Sequence, residues 1–127
     1  MIATILVFIG GGIGAALRHG VNVGAARWFG AAFPWGTLIV NVAGSLAMGL
    51  LAAWLAFRAD AGFWQHTRLF LATGVLGGFT TFSAFSLDVV LLWERNAIGP
   101  AAAYVAASVV LSVGGLFAGL WVVRAVV

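Results

Sequence analysis

The residues best suited to chemistry lie in one apolar stretch, residues 74–86, with the sequence GVLGGFTTFSAFS. Within it, Phe82 and Phe85 are three residues apart, so they share one face of a helix. The edge of a phenyl ring is weakly positive, so two ring edges can contact a small anion without a cationic side chain that would trap it. The pair alone is equally typical of a lipid-facing or core-facing helix face.

The residues just ahead of this pair weaken a helix: Gly74, Gly77, Gly78, Thr80 and Thr81. A break would free backbone carbonyls at membrane depth, where lipid cannot satisfy them. Carbonyls at such a break are able to bind a cation. The glycines alone could instead form a packing seam that lets a neighbouring helix approach. We predict a break near residues 74–81.

Polar side chains in the other apolar stretches add candidate partners for an ion. Asn41 can donate an amide hydrogen to an anion or form an interhelical hydrogen bond. Tyr104, Ser108 and Ser112 are four residues apart, so their hydroxyls form a stripe on one helix face. The stripe can replace water around a moving ion, or bond to itself and the backbone. Arg18 either attracts anions into a vestibule or extends to the lipid headgroups.

Four helices must position these residues. Of the 127 residues, 64% are hydrophobic and only 7% are charged, whereas a soluble domain has about 25% charged residues. With so few charges the chain cannot cover a water-facing surface, so it must lie in lipid. We predict an all-α membrane protein with four transmembrane helices, because four stretches reach the ~20 residues needed to span: residues 2–23, 34–57, 66–93 and 98–123.

Composition also excludes several functions. The absence of cysteine removes thiolate metal sites and cysteine nucleophiles. The arginines are scattered rather than clustered, so we expect no nucleic-acid binding. The sequence has no paired carboxylates, phosphate-binding loop or dinucleotide-binding pattern, so we expect no enzyme.

Positive charge is balanced between the two sides of the predicted bundle. One side carries Arg58, Arg68 and Arg124, and the other carries Arg27, Arg95 and, if it extends outward, Arg18. Without a bias the chain has no preferred orientation. We therefore predict dual topology and an antiparallel homodimer; the alternative is that so few charges make the count uninformative. A break near the bilayer midplane would then meet its copy on the two-fold axis, where four carbonyls suit sodium.

The order of motifs resembles the Fluc (CrcB) family of fluoride channels over essentially the whole chain. The resemblance is carried by Gly11-Gly12-Ile13-Gly14-Ala15 with Arg18, Gly36-Thr37-Leu38 with Asn41 and Gly44, Gly77-Gly78-Phe79-Thr80-Thr81-Phe82-Ser83, Phe85-Ser86, and Tyr104, Ser108 and Ser112. It implies a passive, fluoride-selective channel in the cell (inner) membrane that exports cytoplasmic fluoride through two pores in each antiparallel dimer.

The resemblance also implies roles for residues. A structural sodium ion (Na+) would be held by the backbone carbonyls of Gly77 and Thr80 from both chains. The predicted fluoride pathway comprises Arg18, Asn41, Thr81, Phe82, Phe85, Tyr104, Ser108 and Ser112. The chain departs from the usual family pattern, with Ala84 for Thr, Asp88 for Glu, and His19 for an aromatic residue. The first two departures shorten polar reach beside the pathway.

Two other interpretations stay open. A proton-coupled transporter of the small multidrug-resistance type is also a four-span antiparallel dimer, but it needs a carboxylate in the first span, and the first two predicted spans contain none. A membrane anchor without transport would give no reason for a weakened helix beside aligned aromatics and a polar stripe.

Overall fold

The computed structural model describes residues 1–58 and 61–127, and its elements are helical. In chain order they are α1 (Ile2–Phe29), α2 (Trp35–Ala56), α3 (Ala61–Arg68), a π-helical segment (Leu69–Leu76), α4 (Gly77–Phe79), α5 (Phe82–Glu94) and α6 (Ile98–Val126). By length and composition, four stretches can cross a membrane: Ile2–Phe29, Trp35–Ala56, Gly62–Glu94 and Ile98–Val126. The prediction of an all-helical chain with four spans is confirmed.

The first helix, α1, extends further than its hydropathy indicates. The apolar pattern of the first span stops near Val23, yet α1 continues to Phe29 and includes Arg27. At 1.5 Å per residue, its 28 residues reach about 42 Å, which exceeds the ~30 Å hydrocarbon core. The last turns therefore extend into the headgroup region, where a helix tolerates charge. The chain then turns at Gly30, whose φ of 79° is left-handed.

The most extensive helix pair is α2 with α6. Main chains approach closely there, because a Cβ atom added at Gly119 would lie 2.5 Å from the Leu46 carbonyl oxygen. An added Cβ at Gly49 would overlap the Leu116 carbonyl. The glycines thus let two membrane helices pack backbone to backbone, as small residues do in lipid.

A second glycine seam joins α1 to the π-helical segment and α4. A Cβ atom added at Gly14 would overlap the Val75 carbonyl, and one added at Gly78 would overlap the Gly11 carbonyl. Gly74 and Gly78 therefore serve packing against α1, and residues 77–79 remain helical. This seam holds the third membrane segment rigidly against α1, up to the point where the helix pattern changes.

The outer faces of the bundle are apolar. Phe8, Phe117 and Trp121 are 81%, 66% and 71% exposed. Such large apolar side chains are stable on an outer surface when lipid covers them.

Candidate functional site

The site is organised around two threonines between α4 and α5. Thr80 and Thr81 have extended backbone, with ψ values of 158° and 120°. Thr81 is the N-cap of α5, because its Oγ1 accepts a hydrogen bond from the Ala84 amide at 3.2 Å. The chain therefore leaves one helix after Phe79 and starts another at Phe82.

Asn41 on α2 holds this junction through both the nitrogen and the oxygen of its side-chain amide. Its Nδ2 donates to the Thr81 carbonyl at 3.0 Å, and its Oδ1 accepts from the Thr81 amide at 2.8 Å. One side chain thus satisfies both main-chain groups of Thr81. The Thr81 amide can only donate, so the bond also determines which end of the Asn41 amide is oxygen. Of the alternatives for Asn41, the interhelical hydrogen bond is present.

Two backbone carbonyls lose their helical donors at this junction. In a continuous α-helix, the Thr81 amide would donate to the Gly77 carbonyl and the Ala84 amide to the Thr80 carbonyl. Instead, the Thr81 amide donates to Asn41 Oδ1, and the Ala84 amide donates to Thr81 Oγ1. The carbonyl oxygens of Gly77 and Thr80 are neutral oxygen donors of the kind that hard cations prefer. The junction therefore presents two neutral oxygens without their helical donors.

Arg18 lies on the α1 side of the junction. Its Nη1 donates to the Thr80 carbonyl at 3.3 Å. The guanidinium thus uses one lone pair of that oxygen and leaves the second one available. Arg18 therefore contacts the backbone of the junction rather than extending freely to the headgroups.

A cavity of roughly 380 Å³ lies beside the junction, between α2, α5 and α6. We call it the central cavity, and it is lined by Asn41, Gly44, Ser45, Met48, Thr80, Thr81, Phe82, Phe85, Ser108, Val109, Ser112, Val113 and Leu116. The predicted pathway residues lie in this lining except for Arg18 and Tyr104. The ring centroids of Phe82 and Phe85 are 5.5 Å apart, with the planes tilted by 47°. Phe82 is 78% exposed in the single subunit.

The hydroxyl stripe provides the polar wall of the central cavity. Ser108 is 6% exposed. Within the described part of the chain, the buried Oγ atoms of Ser108 and Ser112 have no hydrogen-bond partner. A serine in a helix commonly bonds back to its own preceding turn, so these hydroxyls are unusual in remaining available. Two buried hydroxyls are therefore able to bond to whatever occupies the cavity.

Tyr104, one turn before Ser108, has a different environment. It is fully buried, and its hydroxyl donates to Asp88 Oδ2 at 2.9 Å. Its ring contacts Phe85 at a centroid distance of 5.2 Å and meets Phe33 edge-on at 5.5 Å. Because its one O–H is bonded to Asp88, Tyr104 supports the Phe85 ring and has only acceptor capacity left.

The sequence reasoning missed the part that α2 plays beyond Asn41. Ser45 and Met48 also line the central cavity. The signal was present, because positions 41, 44, 45 and 48 recur on one face of a helix. Met48 resembles any other apolar residue of a membrane span, so only its spacing from Asn41 distinguishes it.

Residues 5–120 match the family described as CrcB-like protein, Camphor Resistance (CrcB). This match covers most of the chain. The chain belongs to the CrcB family. The resemblance seen in the motifs is thereby confirmed.

Curated relatives of this CrcB-family chain are similar over nearly their whole length. The fluoride-specific ion channel FluC 2 of Nitrobacter hamburgensis is 62% identical over 120 residues, which cover 94% of this chain and 95% of the relative. The fluoride-specific ion channel FluC of Rhodopseudomonas palustris is 57% identical over 122 residues, covering 96% and 97%. That of Methylobacterium nodulans is 57% identical over 124 residues, covering 98% of each. With its four apolar helices, the chain is a multi-pass membrane protein.

Proposed function

We propose that this chain is one subunit of a fluoride-selective passive ion channel that exports cytoplasmic fluoride and so relieves its toxicity. The observation that carries the proposal is the composition of the central cavity. It combines two phenyl rings with two buried hydroxyls that lack partners. The names of the relatives, which describe ion channels rather than enzymes, support the same function.

The cavity residues have complementary tasks in moving a strongly hydrated anion. The hydroxyls of Ser108 and Ser112 replace water around fluoride, and the edges of Phe82 and Phe85 contact it weakly. One hydrogen of Asn41 Nδ2 bonds to Thr81, so the second one is available to the anion. None of these groups carries a positive charge, so fluoride is stabilised without being trapped.

We further propose that two copies pair antiparallel in the inner membrane and enclose two pores. Phe82 supports this proposal, because its ring lines the central cavity and is 78% exposed. A second copy would cover the ring and close that side of the cavity. The Thr80–Thr81 junction would lie near the bilayer midplane on the two-fold axis. There the carbonyls of Gly77 and Thr80 from both copies would hold a structural sodium, which joins the two chains.

Fluoride efflux from liposomes tests the function. Purified protein is reconstituted with internal potassium fluoride, and a fluoride electrode records release when valinomycin lets potassium follow. We expect rapid release from the parent and at least ten-fold slower release from Phe82→Ile, which removes one ring. Phe117→Ile is the matched control, because Phe117 is 66% exposed on α6 and does not belong to the lining given above.

Two outcomes would contradict the channel proposal, and a third would contradict the role of the aromatic pair. Release driven by a proton gradient, without need of valinomycin, would favour a proton-coupled transporter. No release from a folded parent would favour an anchor. Equal release from Phe82→Ile and the parent would remove the aromatic pair from the pathway.

A further inference from the structure

A second cavity, of roughly 700 Å³, lies toward the C-terminal end of α2. Its wall is formed by α2 on one side and by α3 and the π-helical segment on the other, and it includes the side chains of Arg58 and Arg68. We call this space the arginine vestibule. It is separate from the pathway residues described above.

The two cavities follow the same face of α2. Asn41, Gly44, Ser45 and Met48 line the central cavity, and Met48, Leu51, Ala52 and Leu55 line the arginine vestibule. These steps of three and four residues keep to one side of a helix. Met48 lines both spaces, so the two cavities meet at its side chain.

We propose that Met48 forms an apolar constriction on the fluoride pathway, between the central cavity and the arginine vestibule. This inference rests on the proposed channel function. Beyond Ser112, the central cavity is lined on α6 by Val113 and Leu116. An ion leaving the hydroxyls therefore crosses a short apolar stretch, which is how many pores limit passage. The unbranched, polarizable methionine side chain can move aside without any helix moving.

The charge of the vestibule fits an anion pathway. The Arg58 guanidinium stacks on two rings, with its central carbon 4.9 Å from the Trp54 centroid and 5.2 Å from the Trp64 centroid. Stacking orders the guanidinium while its N–H groups, which lie in the plane of the group, can still meet an anion. Arg68 also lines the vestibule, so two positive charges raise the local concentration of anions next to Met48.

The first test changes the size of the constriction. We expect Met48→Phe to slow fluoride efflux at least ten-fold. Val110→Phe is the matched control, because Val110 is 66% exposed and lies two residues from both Ser108 and Ser112, on the opposite face of α6. A melting curve for each variant shows whether a loss of flux reflects loss of fold.

The second test modifies the protein after it has folded. The chain has no cysteine, so Met48→Cys carries a single thiol. We expect the anionic reagent 2-sulfonatoethyl methanethiosulfonate to label this thiol in micelles by entering through the arginine vestibule. After reconstitution the labelled protein should conduct at least ten-fold more slowly, and dithiothreitol should restore flux. Val110→Cys should remain unlabelled because detergent covers it.

The outcomes separate the two proposals. If the parent releases no fluoride, the channel function itself fails. If the parent conducts but the thiol at position 48 is not labelled, or labelling leaves flux unchanged, the constriction is overturned. Flux in a folded Met48→Phe variant that equals the parent's would overturn it as well.

Discussion

Removing the Asn41 side chain tests how strongly the junction between α4 and α5 depends on α2. Asn41→Ala deletes two hydrogen bonds, of 3.0 and 2.8 Å, and leaves the Thr81 amide and carbonyl without that partner. Interhelical hydrogen bonds in membranes average about 0.6 kcal/mol, so two of average strength contribute about 1.2 kcal/mol. A buried group left unsatisfied costs ~1–3 kcal/mol. Because Thr81 is only half-buried, we expect a total loss of about 1–3 kcal/mol.

The assay is unfolding by sodium dodecyl sulfate in mixed micelles, followed by circular dichroism. Ser45→Ala is the matched control, because Ser45 lines the same cavity one turn further along α2. We expect the control to unfold within about 0.5 kcal/mol of the parent, because it removes one hydroxyl and keeps both bonds between Asn41 and Thr81. The reasoning is refuted if Asn41→Ala is as stable as Ser45→Ala, since the two bonds would then contribute nothing.

Three further predictions concern packing, the hydroxyls and sodium. Gly14→Ala should destabilise the protein by ~1–3 kcal/mol because its Cβ would overlap the Val75 carbonyl, whereas Gly12→Ala enters open space; equal unfolding midpoints would contradict this. Ser108→Ala should leave stability within about 0.5 kcal/mol, because the lost hydroxyl has no partner in the described chain, yet slow fluoride efflux several-fold; unchanged efflux would exclude Ser108 from the pathway. Replacing sodium by N-methylglucamine should lower the melting temperature, and identical melting in both salts would count against a structural sodium.

The sequence predicted the membrane spans and six of the cavity-lining residues because both depend on residue type. A polar residue in lipid needs a partner, so Asn41 and the serine stripe were identifiable without a structure. Helical spacing then placed Phe82 and Phe85 on one face, and both line the cavity.

Other features depend on how main chains meet, and the residue types do not reveal them. The π-helical segment, Leu69–Leu76, has the composition of any apolar helix. Its pattern is recognisable only from the backbone that packs against α1. The contact of Arg18 with the Thr80 carbonyl has the same origin, because it joins residues 62 positions apart in sequence. The full length of α1 was missed because hydropathy follows lipid contact, whereas a helix can continue into the headgroups.

The pair of hydrogen bonds between Asn41 and Thr81 has a consequence for the timescale of transport. A rearrangement of the backbone at the junction would have to break two hydrogen bonds together, and such collective motions take microseconds to milliseconds. Side chains such as Met48 and Phe82 change rotamer in picoseconds to nanoseconds when they are not tightly packed. Passage of an ion can therefore proceed at the pace of side-chain motion. That pace suits a channel, whereas alternating access requires helices to move in every cycle.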